Sequence, residues 1–143
     1  ANLVTDLLRD MAEQSLPRAD TGTLLGDLTA NARLVQRTLT DPRQAPLFKA
    51  IVAAATSDTR TAQALRRFYD TRISEWAPCV EQAMERGEVP ADTDAREVIR
   101  AVSAPLYYRL LLTGEDLDEA TADRAAHAAV AAARAGAYRP HLA

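Results

Sequence analysis

An all-α fold, a single helical-bundle domain of about six helices, is what this sequence predicts, and three observations predict it. Hydrophobic residues make up 48% of the chain but aromatics only 5%, so the apolar excess is mostly Ala and Leu, which favour helix over strand. Apolar side chains recur at three- and four-residue spacing in one segment after another. At 143 residues the chain suits one domain with a single core.

The elements follow in order. Asn2 is a capping residue for a first helix that carries Val4, Leu7, Leu8 and Met11 on one stripe, with Pro17 beyond its end. That helix starts at residue two with no loop or start methionine before it, so the sequence reads as a cut inside a longer natural chain. A second helix runs from Thr23 to Thr40 on Leu24, Leu28, Ala32, Val35 and Leu39, after a loop of Asp20, Thr21 and Gly22. Asp41 and Pro42 open a third, marked by Leu47, Phe48, Ile51, Val52 and Ala55, and Pro46 is expected to confine regular helix to its later part.

Asp58 caps a long fourth helix reaching about Arg86, with Leu65, Phe68, Tyr69, Trp76, Val80 and Ala83 on a shared face and Gly87 and Pro90 as the stop. Roughly 28 residues at about 1.5 Å each make a rod of about 42 Å, which Pro78 is expected to bend. Asp94 with Glu97 predicts a capping box for a fifth helix through Pro105 to about Thr113, ended by Gly114. Asp116 with Glu119 predicts the same for a sixth, alanine-rich helix ending near Gly136. No repeat, linker or low-complexity tract interrupts this pattern apart from the alanines of the last helix.

Charge narrows the function classes. Seventeen basic and twenty acidic residues leave a formal charge of −3, without the basic stripe of a self-sufficient nucleic-acid binder. Glu115, Asp116, Asp118, Glu119 and Asp123 make one stretch distinctly acidic, a poor surface for a phosphate backbone. A single cysteine, Cys79, excludes an internal disulfide and a multi-cysteine metal site and fits a reduced, cytoplasmic setting. The longest near-apolar run, Ala101 to Leu112, is too short to span a bilayer and is broken by Arg109, so no membrane association is expected.

Three stretches resemble the carboxy-terminal regulatory domain of TetR-family transcription regulators: DTGTLLGDL from Asp20 to Leu28, ERGEVPADTD from Glu85 to Asp94, and PLYYRLLLTGEDLD from Pro105 to Asp118. Their order and spacing match as well, and the likeness covers residues 1–143 as one such domain. The resemblance implies a ligand-responsive transcriptional regulator, by family default a repressor. It implies that residues 1–16 form the connector to a three-helix DNA-binding head lying outside this sequence. Operator DNA would be bound only through that head, whose paired recognition helices reach major grooves about 34–36 Å apart. It also places homodimerisation on the last two helices, residues 94–135.

The residues carry that dimer expectation on their own terms. Val102, Leu106 and Leu110 form one stripe of the fifth helix, while Tyr107 and Leu111 point largely the other way. The sixth adds Ala125, Ala129 and Ala132 among small side chains that permit close helix approach, so a two-fold four-helix interface is expected. The alternative is that both helices are central in a monomer, with alanine common only because it forms helix well.

A small apolar or amphipathic ligand is expected between the fourth helix and its neighbours, since bundle cores host ligands. The candidates are Phe68, Tyr69, Arg72, Trp76 and Cys79, with Leu7 and Met11 from the connector. Arg72 falls within an otherwise apolar stripe and needs a partner, either an internal carboxylate or a ligand carboxylate. Phe68 and Trp76 also read as core residues, and Cys79 as a small buried hydrophobe. No metal or cofactor is expected, because His127 and His141 lack ligand spacing and Glu81 and Glu85 lack the Glu-x-x-His pattern of di-iron bundles. Neither a phosphate loop nor a nucleophile elbow is present to suggest an enzyme. A free-standing helical protein-interaction module is the competing reading.

Overall fold

The structure, a computed structural model, describes residues 3–13 and 17–140. Six α-helices follow one another: α1 (Leu3–Glu13), α2 (Leu24–Thr40), α3 (Gln44–Ala55), α4 (Thr59–Glu85), α5 (Ala95–Tyr108) and α6 (Glu119–Arg134), with a π-helical turn, Arg109–Thr113, continuing α5. No strand occurs among the described residues. The expected cap Asn2, the connector residue Gln14 and the tail residue His141 lie outside the described residues.

Two helices organise the bundle. α2 packs on α3, α4, α5 and α6, most extensively on α6, and α4 packs on α1, α2, α3 and α5. The stripe expected for α2 is the one buried: Leu24, Leu28 and Ala32 are wholly covered, and Val35 and Leu39 nearly so. α4 contributes Phe68, Trp76, Val80 and Ala83 to the same core. It continues through Pro78 as one helix, because a proline costs one backbone hydrogen bond that packing on several neighbours offsets.

Helix starts differ from expectation at α3, α4 and α6; at α4 the expected cap Asp58 makes no side-chain hydrogen bond to the helix N–H groups and accepts instead from the Thr61 hydroxyl. α3 begins at Gln44, ahead of Pro46 rather than after it. Pro46 therefore sits in the first turn, where its absent N–H has no intrahelical partner to lose. Asp41 holds this entry by accepting from the N–H groups of Arg43 and Gln44 at 2.8 and 3.0 Å. α6 is capped by Asp118, whose carboxylate accepts from the N–H and hydroxyl of Thr121 at 2.8 and 2.7 Å; Asp116 is not the cap.

The capping box at α5 is only half formed. Asp94 accepts from the N–H groups of Arg96 and Glu97, but its own N–H donates to the carbonyl of Tyr138 at 2.7 Å, so the Glu97 carboxylate is released to pair with Arg100. The end of α5 also differs, since the last turn before Gly114 is π-helical. The Gly114 N–H reaches back five residues to Arg109 at 2.8 Å, and Gly114 takes the left-handed conformation at φ 65° that ends it without a Cβ clash.

The two shorter stretches of family resemblance meet in space. Glu88 accepts from the Leu24 N–H at 3.0 Å, satisfying one open donor of the α2 amino terminus, while Arg86 pairs with the same carboxylate oxygen at 3.0 Å. Thr23 caps α2 by accepting from the Gly26 N–H, and Thr21 donates its N–H and hydroxyl to Asp27 at 2.7 and 2.8 Å. Gly26 is required there, because a Cβ would lie 2.2 Å from the Thr21 hydroxyl. These motifs therefore fix how α2 enters the bundle.

Candidate functional site

Between α2, α4 and α5 lies a cavity of about 440 Å³, with Asn31, Val35, Tyr69, Arg72, Ile73, Ile99 and Tyr107 among its walls. Its apolar surface comes from the inner faces of three helices. Tyr69 and Tyr107 meet edge to face with ring centroids 5.4 Å apart, and each also contacts Phe48 of α3, at 6.5 and 5.8 Å. Such ring pairs hold an aromatic wall in defined orientation. Burial, and next the neighbouring Tyr107, push the Tyr69 phenol far above its ordinary value, so it is a neutral hydroxyl across the physiological range.

The polar content of this cavity is unusual for a bundle core. Arg72 is 5% exposed, and its Nε, Nη1 and Nη2 are buried without a hydrogen-bond partner. Its guanidinium carbon stands 5.3 Å from the centroid of the Phe68 ring, a cation–π contact. Asn31, 2% exposed, has a side-chain carbonyl without a donor. An internal carboxylate, one of the two solutions open for burying Arg72, is not what this fold supplies.

The candidate residues separate. Tyr69 and Arg72 line the cavity, whereas Phe68 supports Arg72 from behind and faces the crevice between α4 and α1 with Leu8, Ala12 and Arg67. Trp76 is a core residue, 2% exposed, and does not line the cavity. Cys79 is wholly buried beside the carbonyl of Ala19 and the Arg18 guanidinium, at 3.7 and 3.5 Å. Its thiol is raised first by burial and then by Asp27, so it is held protonated and poorly nucleophilic. Met11 is fully buried in the core, and Leu7 faces a different space.

That space is a wider groove of about 990 Å³ between α1 and α3. Leu3, Leu7, Leu47 and Ile51 make it apolar, and Asp6, Asp10, Glu13 and Asp41 rim it with negative charge. Gln44 lines it with a side-chain oxygen that is buried and unpartnered, but no buried charged side chain faces it. Among the lining residues missed by sequence reasoning are Asn31 and Val35 from α2, Arg66 and Ile73 from α4, and Arg96, Ile99, Arg100 and Ser103 from α5. Only a conflict in the α2 stripe marked Asn31, as a polar residue one position before the buried Ala32.

The outward side of α5 is the second feature. Tyr108 is 56%, Leu111 37% and Leu112 74% exposed, and Ala104 and Pro105 are exposed beside them. On α6, Ala128 and Ala131 are exposed. Four of the residues expected at a dimer interface are instead inside the subunit: Val102 and Leu106 are wholly covered, Ala125 is 6% and Ala129 3% exposed. The small α6 side chains permit close approach first of all to α2 and α5 of the same chain. Tyr107 turns to the cavity, Leu110 and Ala132 are half-buried, and Leu111 reaches the surface. The π turn delivers Leu111 and Leu112 to that surface.

Part of the acidic stretch is used internally. Asp123 receives a two-pronged pair from Arg33 of α2 at 2.8 and 2.9 Å, joined by Glu119 at 3.3 Å. His127 is exposed, and no group of three or more metal-ligating side chains is assembled among the described residues. No helix among them is long and apolar enough to cross a membrane.

This six-helix bundle has counterparts among known proteins. The family model described as "Tetracyclin repressor-like, C-terminal domain" matches residues 18–129. The chain belongs to that family. It is 28% identical over 120 residues to the uncharacterized HTH-type transcriptional regulator YdeS of Bacillus subtilis (strain 168), a match covering 83% of this chain and 60% of that protein. The crystal structure of the TetR family transcription regulator SCO0332 superposes with a TM-score of 0.74 at 26% identity, covering 84% of this chain and 66% of that one. The chain thus spans about 60% of the length of the curated relative it matches.

Proposed function

We propose that this chain is the sensing and dimerising part of a ligand-responsive transcriptional regulator, acting as a repressor that a small molecule releases. The observation that carries the reading is the position of α4. On one side Tyr69 and Ile73 line the cavity; on the other Ala64, Arg67 and Phe68 face α1 across a crevice shared with Leu8. A ligand that binds one arrangement of α4 better than another therefore biases α1 as well. Differential affinity is the whole of the switch, and a coupling of about 1–3 kcal/mol corresponds to roughly 5- to 150-fold in DNA affinity.

DNA contact is assigned to a segment preceding this sequence. Support comes from the net charge of −3, without the basic balance of a self-sufficient nucleic-acid binder, and from relatives longer than this chain. The protein works as a homodimer in the cytoplasm, without catalysis. The interface is the outward face of α5 and its π turn, with Tyr108, Leu111 and Leu112, together with the exposed alanines of α6. A patch of this kind is seldom left uncovered, and a two-fold axis would pair it with itself.

The test is fluorescence anisotropy on DNA from the promoter of its own gene, with a protein extended through the upstream coding sequence beside the present chain. Salt-sensitive, sequence-selective binding by the extended protein alone is expected. Absence of selective binding by both would favour the helical interaction module. For the dimer, sedimentation should show Leu112→Asp as a monomer with its helical content intact, since a charge desolvated at the centre of an interface is strongly unfavourable. A monomeric unmodified chain at micromolar concentration defeats the interface.

A further inference from the structure

We propose that the ligand of the cavity is an acid: an amphipathic carboxylate, carrying a hydrogen-bond donor elsewhere on its body, whose head group neutralises Arg72. This rests on the cavity being the ligand site. Three features of its walls select that chemistry. Arg72 is 95% buried by its 5% exposure, and none of its nitrogens has an acceptor. A guanidinium is never neutral in a protein, so its burial is unfavourable until an anion arrives. A carboxylate matches its forked donors in two parallel hydrogen bonds.

The rest of the wall has the same sign. Arg66, Arg96 and Arg100 line the cavity together with Arg72; Arg96 is paired with Asp70 and Arg100 with Glu97, which leaves Arg66 and Arg72 as the net positive charge of the wall. Asp70 is engaged by Arg96, so it does not serve Arg72. The mouth therefore draws anions in and repels cations. Asn31 sets the second requirement, since its unpartnered carbonyl oxygen accepts a hydrogen bond and a hydroxyl or amide N–H on the ligand supplies one. Between these polar points Val35, Ile73, Ile99 and the two tyrosine rings ask for an apolar or aromatic body.

Signal transmission follows from the same side chain. Arg72 rests on Phe68, and Phe68 faces α1. An anion competes with the ring for the guanidinium, so occupancy alters the support of α1 at one step's remove.

The experiment uses the full chain and three probes of one shape: 3-(4-hydroxyphenyl)propanoate, the corresponding neutral amide, and 3-(4-hydroxyphenyl)propylamine. Calorimetric titration is expected to find the acid bound most tightly and the amine least. Arg72→Met should weaken the acid by about 10- to 100-fold and leave the amide unchanged, with Arg72→Lys restoring part of the loss. Without ligand, Arg72→Met should melt about 2–4 °C above the unmodified chain, because an apolar side chain of similar length replaces an unneutralised charge.

A lower melting temperature for that variant means the fold already satisfies the guanidinium, and overturns the proposal. Equal binding of acid and amide, both insensitive to Arg72→Met, overturns the acid while leaving the cavity as the site. If no probe binds, the acid is again refuted. The neutral fluorophore N-phenyl-1-naphthylamine then decides the cavity itself: binding abolished by Ser103→Trp at the wall keeps the site, and no binding removes it as well.

Discussion

The seam between α2 and α6 and the cavity between α2, α4 and α5 share a helix but place their polar groups differently, half-exposed and paired along the seam, buried and unpaired in the cavity. Along the seam Arg33 has Asp123 and Glu119 and Gln36 donates to the carbonyl of Leu117 at 2.9 Å, while at the start of α2 Glu88, from the α4–α5 loop, caps the Leu24 N–H. In the cavity Arg72 and Asn31 are more deeply buried and stand unpartnered. A paired group holds two elements in one relation; an unpaired one leaves free energy to be recovered on binding. The difference separates the part of the molecule that is a scaffold from the part that responds.

Substitutions should divide along the same line. The largest loss is expected where the scaffold core is opened: Leu106→Ala removes a wholly buried side chain and should lower unfolding free energy by about 2–5 kcal/mol in urea titrations. Gly26→Ala comes next, at about 1–3 kcal/mol, because the new methyl group displaces Thr21 and breaks its bonds to Asp27. Glu88→Ala should cost about 1 kcal/mol by uncapping α2. A cavity-wall change such as Ser103→Ala should stay within about 0.5 kcal/mol while altering ligand affinity. If Ser103→Ala proved as harmful as Glu88→Ala, the two regions would not differ in kind.

Acid offers a milder probe of the seam. Hydrogen bonding from Arg33 holds Asp123 below its ordinary value, and Thr121, by hydroxyl and then N–H, does the same for Asp118. Burial opposes the shift at Glu88, but Arg86 and the Leu24 N–H outweigh it. Folded values lower than unfolded ones mean that this stability is present above the unfolded carboxylate range of about 3.9–4.3 and is lost as pH falls through the folded values. Melting temperature should therefore decline below about pH 4, and by less in Arg33→Ala. Ligand binding through an arginine should be insensitive to pH until the ligand's own carboxylate is protonated.

Much of this molecule was legible in the chain itself. The six helices, the buried α2 stripe and the glycine stops at 87, 114 and 136 follow from 3.6-residue periodicity and local backbone preference, which depend on near neighbours alone. The cap of α6 lies two residues beyond Asp116, at Asp118, and the box at Asp94 is only half formed, because the Tyr138 carbonyl, 44 residues downstream, competes for the same N–H. The site was less legible. Periodicity put Phe68, Tyr69, Arg72, Trp76 and Cys79 near one face of α4, but a face about 100° wide can meet three neighbours. Only the positions of α2 and α5 assign Tyr69 and Arg72 to the cavity and the rest to the core. Likewise the sequence marked α5 as apolar on two sides, while packing decided that Val102 and Leu106 go inward and Tyr108 and Leu112 outward. Helix and stripe are set by interactions within about four residues, so one dimension suffices to determine them; what a stripe faces, and whether a buried charge finds a partner, depends on residues brought close only by folding.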